Sequence, residues 1–158
     1  MRTFALVSLL LAPALAHADP ANEPSPGRAP RPSLPAPPDV AAPPAHATRT
    51  ASGLAYVTLT PGRSARRPTR DESAEVHYTG WQTDGHMIDS SVTRGAPATF
   101  PLRGVIEGFA EALTLMSEGQ RIRVWIPEGL AYRGAPGRPA GMLVFEIELL
   151  RIEPPRAG

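Results

Sequence analysis

Ten of the 25 residues from Pro20 to Pro44 are proline. A proline ring fixes φ, removes the backbone donor and breaks helices, so a stretch this rich in proline builds neither helix nor sheet. The other residues there are mostly alanine, serine, glycine and charged residues. We therefore interpret residues 19–48 as a disordered, proline-rich tether that is extended and semi-rigid. A ligand for proline-binding domains is the alternative interpretation of the same composition.

The segment before the tether has the three parts of a secretion signal. Met1-Arg2-Thr3 is a short basic start, residues 4–15 are almost wholly apolar, and Ala16-His17-Ala18 offers small residues to a signal peptidase. The apolar run is shorter than the roughly 20 residues that span a bilayer. We therefore expect residues 1–18 to be a cleavable signal peptide, with a periplasmic or secreted mature protein and no stable membrane insertion after cleavage.

The composition excludes several kinds of chemistry. The chain has no cysteine and its 16 basic residues are all arginine, which excludes thiolate metal sites, cysteine catalysis and lysine Schiff bases. A net charge of +1 gives no basic field for binding nucleic acid. Of the four histidines, only His77 and His86 lie beyond the tether, and no third ligand has metal spacing near them. We expect neither a metal nor a cofactor.

Apolar residues and turn signals alternate after residue 49, and this pattern predicts one α+β domain over residues 49–155. Strands are expected at 54–59, 74–81, 86–88, 120–126 and 142–152, with a short edge-like piece at 99–102. One helix is expected, because apolar residues recur at three- and four-residue steps before Gly119; they are Ile106, Phe109, Ala112, Leu113 and Met116. An antiparallel sheet of four or five strands around this helix would bury every apolar stripe.

Groups for covalent catalysis are scarce in this domain. Ser90 and Ser91 have no base beside them, and Glu146 and Glu148 are expected on the solvated face of a strand. What remains is aromatic and apolar side chains near turns, with the carboxylate of Asp89 after a hairpin. This set indicates a binding pocket, or an enzyme that makes and breaks no covalent bond.

Two blocks of sequence are similar to a known family. The first comprises Val76-His77-Tyr78-Thr79-Gly80, Asp84-Gly85 and Ile88-Asp89-Ser90-Ser91. The second comprises Val105-Ile106-Glu107-Gly108-Phe109, the stretch 115–119, Ile126-Pro127, Leu130-Ala131-Tyr132 and the stretch 143–150. Together, over about residues 52–153, they resemble FKBP-type peptidyl-prolyl cis-trans isomerases. The resemblance implies a twisted antiparallel sheet of about five strands curled around one short α-helix, and catalysis on proline-containing polypeptide clients.

The resemblance also implies roles for individual residues. The catalytic set would be Tyr78 as a pocket wall, Asp89 at the rim, the backbone N–H of Ile106, and the donating hydroxyl of Tyr132. The substrate-binding set would be Ile88, Phe100, Val105, Phe109 and Phe145. Without the resemblance, Val105, Phe109 and Phe145 would be interpreted as core, Asp89 as a turn cap, and both tyrosines as core residues whose hydroxyls have partners.

The sequence departs from the family pattern in ways that keep two functions open. Ile88 and Ala98 stand where aromatic residues are common in the family, and the loop 133–142 is shorter. The first hypothesis is an isomerase that assists the folding of extracytoplasmic proteins. The alternative is an FKBP-like proline-binding or chaperone module with little catalytic activity. In either case we expect a monomer, because no dimerisation segment is visible.

Overall fold

The computed structural model describes residues 32–155, so the predicted signal peptide and residues 19–31 of the predicted tether lie outside the described residues. Within that range the strands are β1 (Thr48–Arg49), β2 (Ala55–Thr60), β3 (Ser73–Gln82), β4 (Met87–Ser90), β5 (Ala98–Pro101), β6 (Arg121–Ile126) and β7 (Leu143–Glu153). The helices there are α1 (Ser91–Arg94) and α2 (Glu107–Leu115), with 3-10 turns at Leu102–Gly104 and Glu128–Leu130. No helix among residues 32–155 has the length and apolar character needed to cross a membrane.

The described strands form one antiparallel sheet. Its order is β1-β2-β6-β7-β3-β4, and β5 pairs with the first half of β3 on the side where β4 pairs with the second half. The predicted α+β class, with an antiparallel sheet and one main helix, is confirmed. Residues 32–155 form seven strands rather than about five. A strand of two residues such as β1 has no period that a sequence pattern could reveal.

The inner face of the sheet carries the main core. Alternate residues of β6 and β7 point inward and are fully buried, namely Ile122, Val124, Ile126, Leu143, Phe145, Ile147 and Leu149. The predicted stripe of α2 packs against them through Phe109, Ala112 and Leu113. The large side chains among these each contribute roughly 1.5–3 kcal/mol by leaving water. The period of two in the strands and of about 3.6 in the helix therefore fixes α2 over this face.

Two glycines allow the close packing on which the site depends. A Cβ on Gly108 would lie 2.3 Å from Cγ2 of Ile126, so only glycine lets α2 approach β6 this closely. A Cβ on Gly80 would lie 2.4 Å from Cε1 of Phe145, so the Phe145 ring rests directly on the backbone of β3. Glycine at these positions loses more backbone entropy on folding than another residue would, but it allows the closer packing.

The outer face of the sheet is covered by residues 34–47, which we call the N-terminal strap. Trp81 Nε1 donates to the Leu34 carbonyl at 3.1 Å, and Trp125 Nε1 donates to the Asp39 carbonyl at 3.0 Å. The Asp39 carboxylate accepts from Arg123 at 3.0 Å. Apolar contacts complete the strap, with Val40 and Ala47 packing on the buried cluster of Ala55, Trp125 and Val144.

For residues 34–47 the structure therefore differs from the expectation of a disordered tether. Proline prevents helix and ladder pairing, but it leaves the carbonyl groups free to accept bonds from the tryptophan N–H groups. Pro37 is itself buried. The composition predicts an extended backbone, but the strap also contains turns, in which the Val40 N–H bonds to the Pro37 carbonyl at 3.1 Å and the Ala47 N–H bonds to the Pro44 carbonyl at 3.0 Å. Its docking depends on side chains far along the chain.

Candidate active site

Four aromatic rings meet between the sheet and α2. They are supplied by β3, β5, α2 and β7, and they are Tyr78, Phe100, Phe109 and Phe145. The centroid of Phe109 lies 6.0 Å from that of Tyr78, 5.9 Å from Phe100 and 5.4 Å from Phe145, each pair close to perpendicular. Edge-to-face packing of this kind stabilises ring positions beyond the effect of burial. The cluster forms an apolar floor on which neighbouring side chains can build a pocket.

A polar network borders this floor at Tyr78. The Tyr78 hydroxyl donates to Asp89 Oδ2 at 2.5 Å and accepts from Arg94 Nη2 at 2.9 Å. Arg94 also forms an ion pair with Asp89 Oδ1. Burial, with the negative charge of Asp89, raises the pKa of Tyr78 well above its ordinary value. The hydroxyl therefore stays protonated, and the three side chains hold each other in place.

Arg94 is a residue of this network that sequence analysis missed. It is presented by α1, whose N-cap Ser90 accepts from the Thr93 backbone N–H at 3.3 Å and which ends at the left-handed Gly95. Ser91 joins α1 to β3, because its buried Oγ accepts from the Tyr78 N–H at 2.8 Å. A helix of four residues shows no periodicity, so the available signal was only an arginine five positions after Asp89.

Asp89 has a second contact that agrees with its interpretation as a turn cap. Its Oδ1 accepts from the Ser90 backbone N–H at 2.8 Å, as a residue that shapes a turn would do. The other carboxylate oxygen faces the Tyr78 hydroxyl. Asp89 thus serves both the strand end and the polar network.

Tyr132 lies on the segment that follows the second 3-10 turn and belongs to the same hydrophobic cluster as the four rings. Its hydroxyl oxygen is buried and has no hydrogen-bond partner among the described residues. Burial raises the pKa of Tyr132 to about 12. Among residues 32–155 Tyr132 is thus a core residue whose hydroxyl lacks a protein partner, whereas the Tyr78 hydroxyl has two. An unpaired buried hydroxyl costs roughly 1–3 kcal/mol, a cost that a bound acceptor would remove.

The other predicted site residues lie around the same floor. Val105 and Ile106 precede α2, and the Ile106 carbonyl accepts from the Phe109 and Ala110 N–H groups at 3.0 and 3.1 Å. Ile88 on β4 is partly buried and packs against the core. Eight of the nine residues predicted from the resemblance belong to or pack against one large hydrophobic cluster, and Asp89 is joined to it through the Tyr78 hydroxyl. Their roles toward a substrate stay predictions.

Val105 also lines an open groove. It has a volume of about 270 Å³, and its lining includes Leu102, Val105 and the arginines Arg70 and Arg103. Arg70 forms an ion pair with Glu107 at 2.7 Å. The apolar part of the lining is Leu102 and Val105. Among residues 32–155 no group of three or more His, Asp or Glu side chains is placed to hold a metal ion.

Comparison with known proteins identifies the family. The model of the FKBP-type peptidyl-prolyl cis-trans isomerases matches residues 64–150, more than half of the chain. The chain belongs to this family. This confirms the resemblance carried by the two sequence blocks.

Individual relatives agree with the family match. The chain is 49% identical over 107 residues to the FKBP-type 22 kDa peptidyl-prolyl cis-trans isomerase of Escherichia coli, covering 65% of this chain and 52% of the relative. It is 48% identical over 111 residues to FkpA of Aeromonas hydrophila, covering 68% and 41%. The crystal structure of FkpA from Escherichia coli matches with a TM-score of 0.65 at 37% identity, over 70% of this chain and 53% of that one. The chain spans about half the length of the curated relatives it matches.

Proposed function

We propose that this protein is a peptidyl-prolyl cis-trans isomerase that accelerates X–Pro rotation in polypeptides folding outside the cytoplasm. The observation that carries the proposal is the buried, unpaired hydroxyl of Tyr132 beside an aromatic floor. Such a hydroxyl can donate a hydrogen bond to a peptide carbonyl when a prolyl ring binds against the aromatic rings. The names of the relatives support the same activity.

The apolar surroundings act on the resonance of the amide. Rotation about an X–Pro bond faces a barrier of ~18–20 kcal/mol because the planar amide is stabilised by resonance. The twisted amide has lost that resonance and carries less charge separation, so a dry pocket favours it over the planar form. Ile88 and Val105 would contact the prolyl ring, with Phe109 and Phe145 beneath. This is preferential binding of a transition state without a nucleophile, a metal or a proton transfer.

Hydrogen bonds would hold one half of the substrate while the other half turns. In this proposal Tyr132 donates to the carbonyl of the twisting amide, and the Ile106 N–H meets a neighbouring carbonyl. The pKa of Tyr132, about 12, keeps its donor proton in place at neutral pH. Asp89 and Arg94 fix the Tyr78 wall and place charge at the rim.

The compartment and the clients follow from the sequence before the domain. The pattern of residues 1–18 supports export, and the clients would be secreted or periplasmic chains with slow X–Pro bonds. We expect material recovered from outside the cytoplasm to begin at or near Asp19. Mass spectrometry that found Met1 retained would contradict the cleavage.

The activity is tested by proline-limited refolding of a model protein with catalytic amounts of the mature chain. We expect the slow refolding phase to accelerate in proportion to the protein added, and the proline-independent phase to stay unchanged. The residue before the limiting proline is varied to sample different contexts. Binding to the unfolded model protein without acceleration in any context would favour the proline-binding or chaperone module instead.

A further inference from the structure

Leu34, the first residue of the strap, is held by two residues that face each other across the β3–β4 hairpin. Trp81 and Met87 are partners in the antiparallel register of these strands. Trp81 Nε1 donates to the Leu34 carbonyl at 3.1 Å, and the Leu34 N–H donates to Met87 Sδ at 3.4 Å. The start of the strap is thus fixed through both backbone polar groups of Leu34, and one of these bonds depends on a thioether sulfur.

A second methionine lies where the later residues of the strap dock. Met142, directly before β7, packs on the buried cluster that contains Trp125. Val40 and Ala47 of the strap pack on the same cluster. The two methionines therefore lie at the start of the strap and on the apolar surface that the rest of the strap covers.

Met87 and Met142 are also the methionines among residues 32–155 that a small oxidant can reach. Both side chains are partly exposed, whereas Met116, the third methionine in this range, is fully buried in the main core. The chain has no cysteine, so methionine thioethers are its only sulfur groups. Oxidation of sulfur in the folded protein should therefore begin at the two methionines beside the strap.

We propose that Met87 and Met142 are oxidation sites that control the docking of the strap. A hydroperoxide such as hydrogen peroxide transfers one oxygen atom to the thioether: an S–O bond forms, the O–O bond breaks, the sulfur loses two electrons, and the peroxide is reduced to water. The product is a methionine sulfoxide. This role goes beyond the proposed isomerase function and does not depend on it.

The sulfoxide fits neither position as well as the thioether does. At Met87 the 3.4 Å between Sδ and the Leu34 nitrogen leaves no space for an added oxygen, because an N–H···O bond alone needs about 2.9 Å. The sulfur and the strap must then move apart. At Met142 the polar S–O group would lie on an apolar cluster. Oxidation should therefore release the strap and expose Trp81 and Trp125, which are buried in the docked state.

Mild treatment of the mature chain with hydrogen peroxide tests the inference. Peptide mass spectrometry should find oxygen on Met87 and Met142 before Met116. The two tryptophans of the chain both lie on the outer face, so their fluorescence should shift to the red as the strap leaves. Methionine sulfoxide reductases with a dithiol should reverse the shift, and the dithiol has no disulfide to reduce in a chain without cysteine.

Variants assign the response to the two sulfur atoms. The double variant Met87→Leu, Met142→Leu keeps apolar side chains of similar size and should lose the fluorescence response to peroxide. Met87→Gln introduces a polar, unbranched side chain like that of the sulfoxide, and it should shift the fluorescence to the red without peroxide. Met116→Leu is the matched control and should respond to peroxide as the wild type does.

Four results would overturn the role of these methionines. Oxidation of Met87 and Met142 with unchanged fluorescence would show that the docked strap tolerates both sulfoxides. An equal red shift in the double leucine variant would show that peroxide acts elsewhere. Reaction of Met116 at the same rate as the other two would show that the chain unfolds before it is oxidised. Wild-type fluorescence of Met87→Gln would show that a polar side chain at this position does not release the strap.

Discussion

The hydroxyls of two buried tyrosines differ in what they contact. The Tyr78 hydroxyl is hydrogen-bonded to Asp89 and Arg94, whereas the Tyr132 hydroxyl has no hydrogen-bond partner among the described residues. The bonded hydroxyl fixes the position of a pocket wall. The Tyr132 hydroxyl, which has no hydrogen bond, remains available as a donor but lowers the stability of the fold. We therefore expect substitutions at these two sites to separate stability from catalysis.

Substitution of Asp89 by alanine tests the polar network. The change removes the acceptor of Tyr78 and the ion-pair partner of Arg94. We expect the refolding rate constant per folded molecule to fall roughly tenfold, which is ~1.4 kcal/mol of barrier, while the domain still folds. Asp84→Ala is the matched control, because Asp84 caps the neighbouring hairpin turn and is exposed. A variant that melts lower but has the wild-type rate would show that Asp89 only shapes the turn.

Substitution of Tyr132 by phenylalanine removes the unpaired hydroxyl and keeps the ring. We expect the barrier to rise by ~0.5–1.5 kcal/mol, because the Ile106 N–H can still hold the substrate. The free energy of unfolding should be unchanged or higher, since no hydrogen bond is lost. Tyr78→Phe provides the contrast and should destabilise the fold by ~1.5–3 kcal/mol, the usual value of bonds to charged groups. A destabilised Tyr132→Phe protein with the wild-type rate would contradict the assignment.

The pH dependence of stability reports the protonation of Tyr132. A tyrosine in the unfolded chain has a pKa of about 10, whereas the pKa of folded Tyr132 is about 12. Below pH 10 both states keep the proton and this group has no effect. Between about pH 10 and 12 only the unfolded state ionises, so stability should fall as the pH rises. Denaturant unfolding at pH 9, 10 and 11 measures this, and Tyr132→Phe should reduce the slope. A slope that is the same in both proteins would contradict it.

At the scale of elements, long regular segments could be predicted from sequence and short ones could not. The stripe of α2 and the alternation of β6 and β7 were predicted because each repeats over several residues. The elements β1 and α1, of two and four residues, have too few positions to show a period. Arg94 was missed for the same reason, while the other candidate site residues are predicted only from the resemblance to the family.

The strap could not be predicted because its contacts join distant parts of the chain. Leu34 and Trp81 are 47 residues apart, and Asp39 and Trp125 are 86 apart. Composition describes the backbone of such a segment but contains no signal for its docking partner. A proline-rich segment can therefore be part of a folded unit when side-chain donors on a sheet reach its carbonyl groups.

Removal of the strap should weaken the domain. A chain that begins at Arg49 loses both tryptophan bonds and the Asp39 ion pair, and it exposes Trp125 and Val144. We expect the free energy of unfolding to drop by ~2–4 kcal/mol and the tryptophan fluorescence to shift to the red. A chain that begins at Pro32 keeps these contacts and is the control. Equal stability of the two chains would show that the strap contributes nothing.

In the whole molecule, the two faces of the sheet have different roles. The inner face holds α2 and the candidate pocket, while the outer face is covered by the strap. The same strands serve both faces, because alternate residues of β6 and β7 point in opposite directions. Removing the strap should therefore change stability more than catalysis per folded molecule.

In our proposal, the pocket between the sheet and α2 isomerises prolyl bonds. Exchange NMR on one Leu-Pro peptide, mixed with substoichiometric labelled protein, measures this activity. We expect the cis–trans exchange rate of the peptide to rise with protein concentration. Shifts in the protein spectrum should centre on Val105, Ile106 and Tyr132. Exchange that stays at the uncatalysed rate despite binding, or shifts confined to the strap and the outer face, would show that this pocket is not an isomerase site.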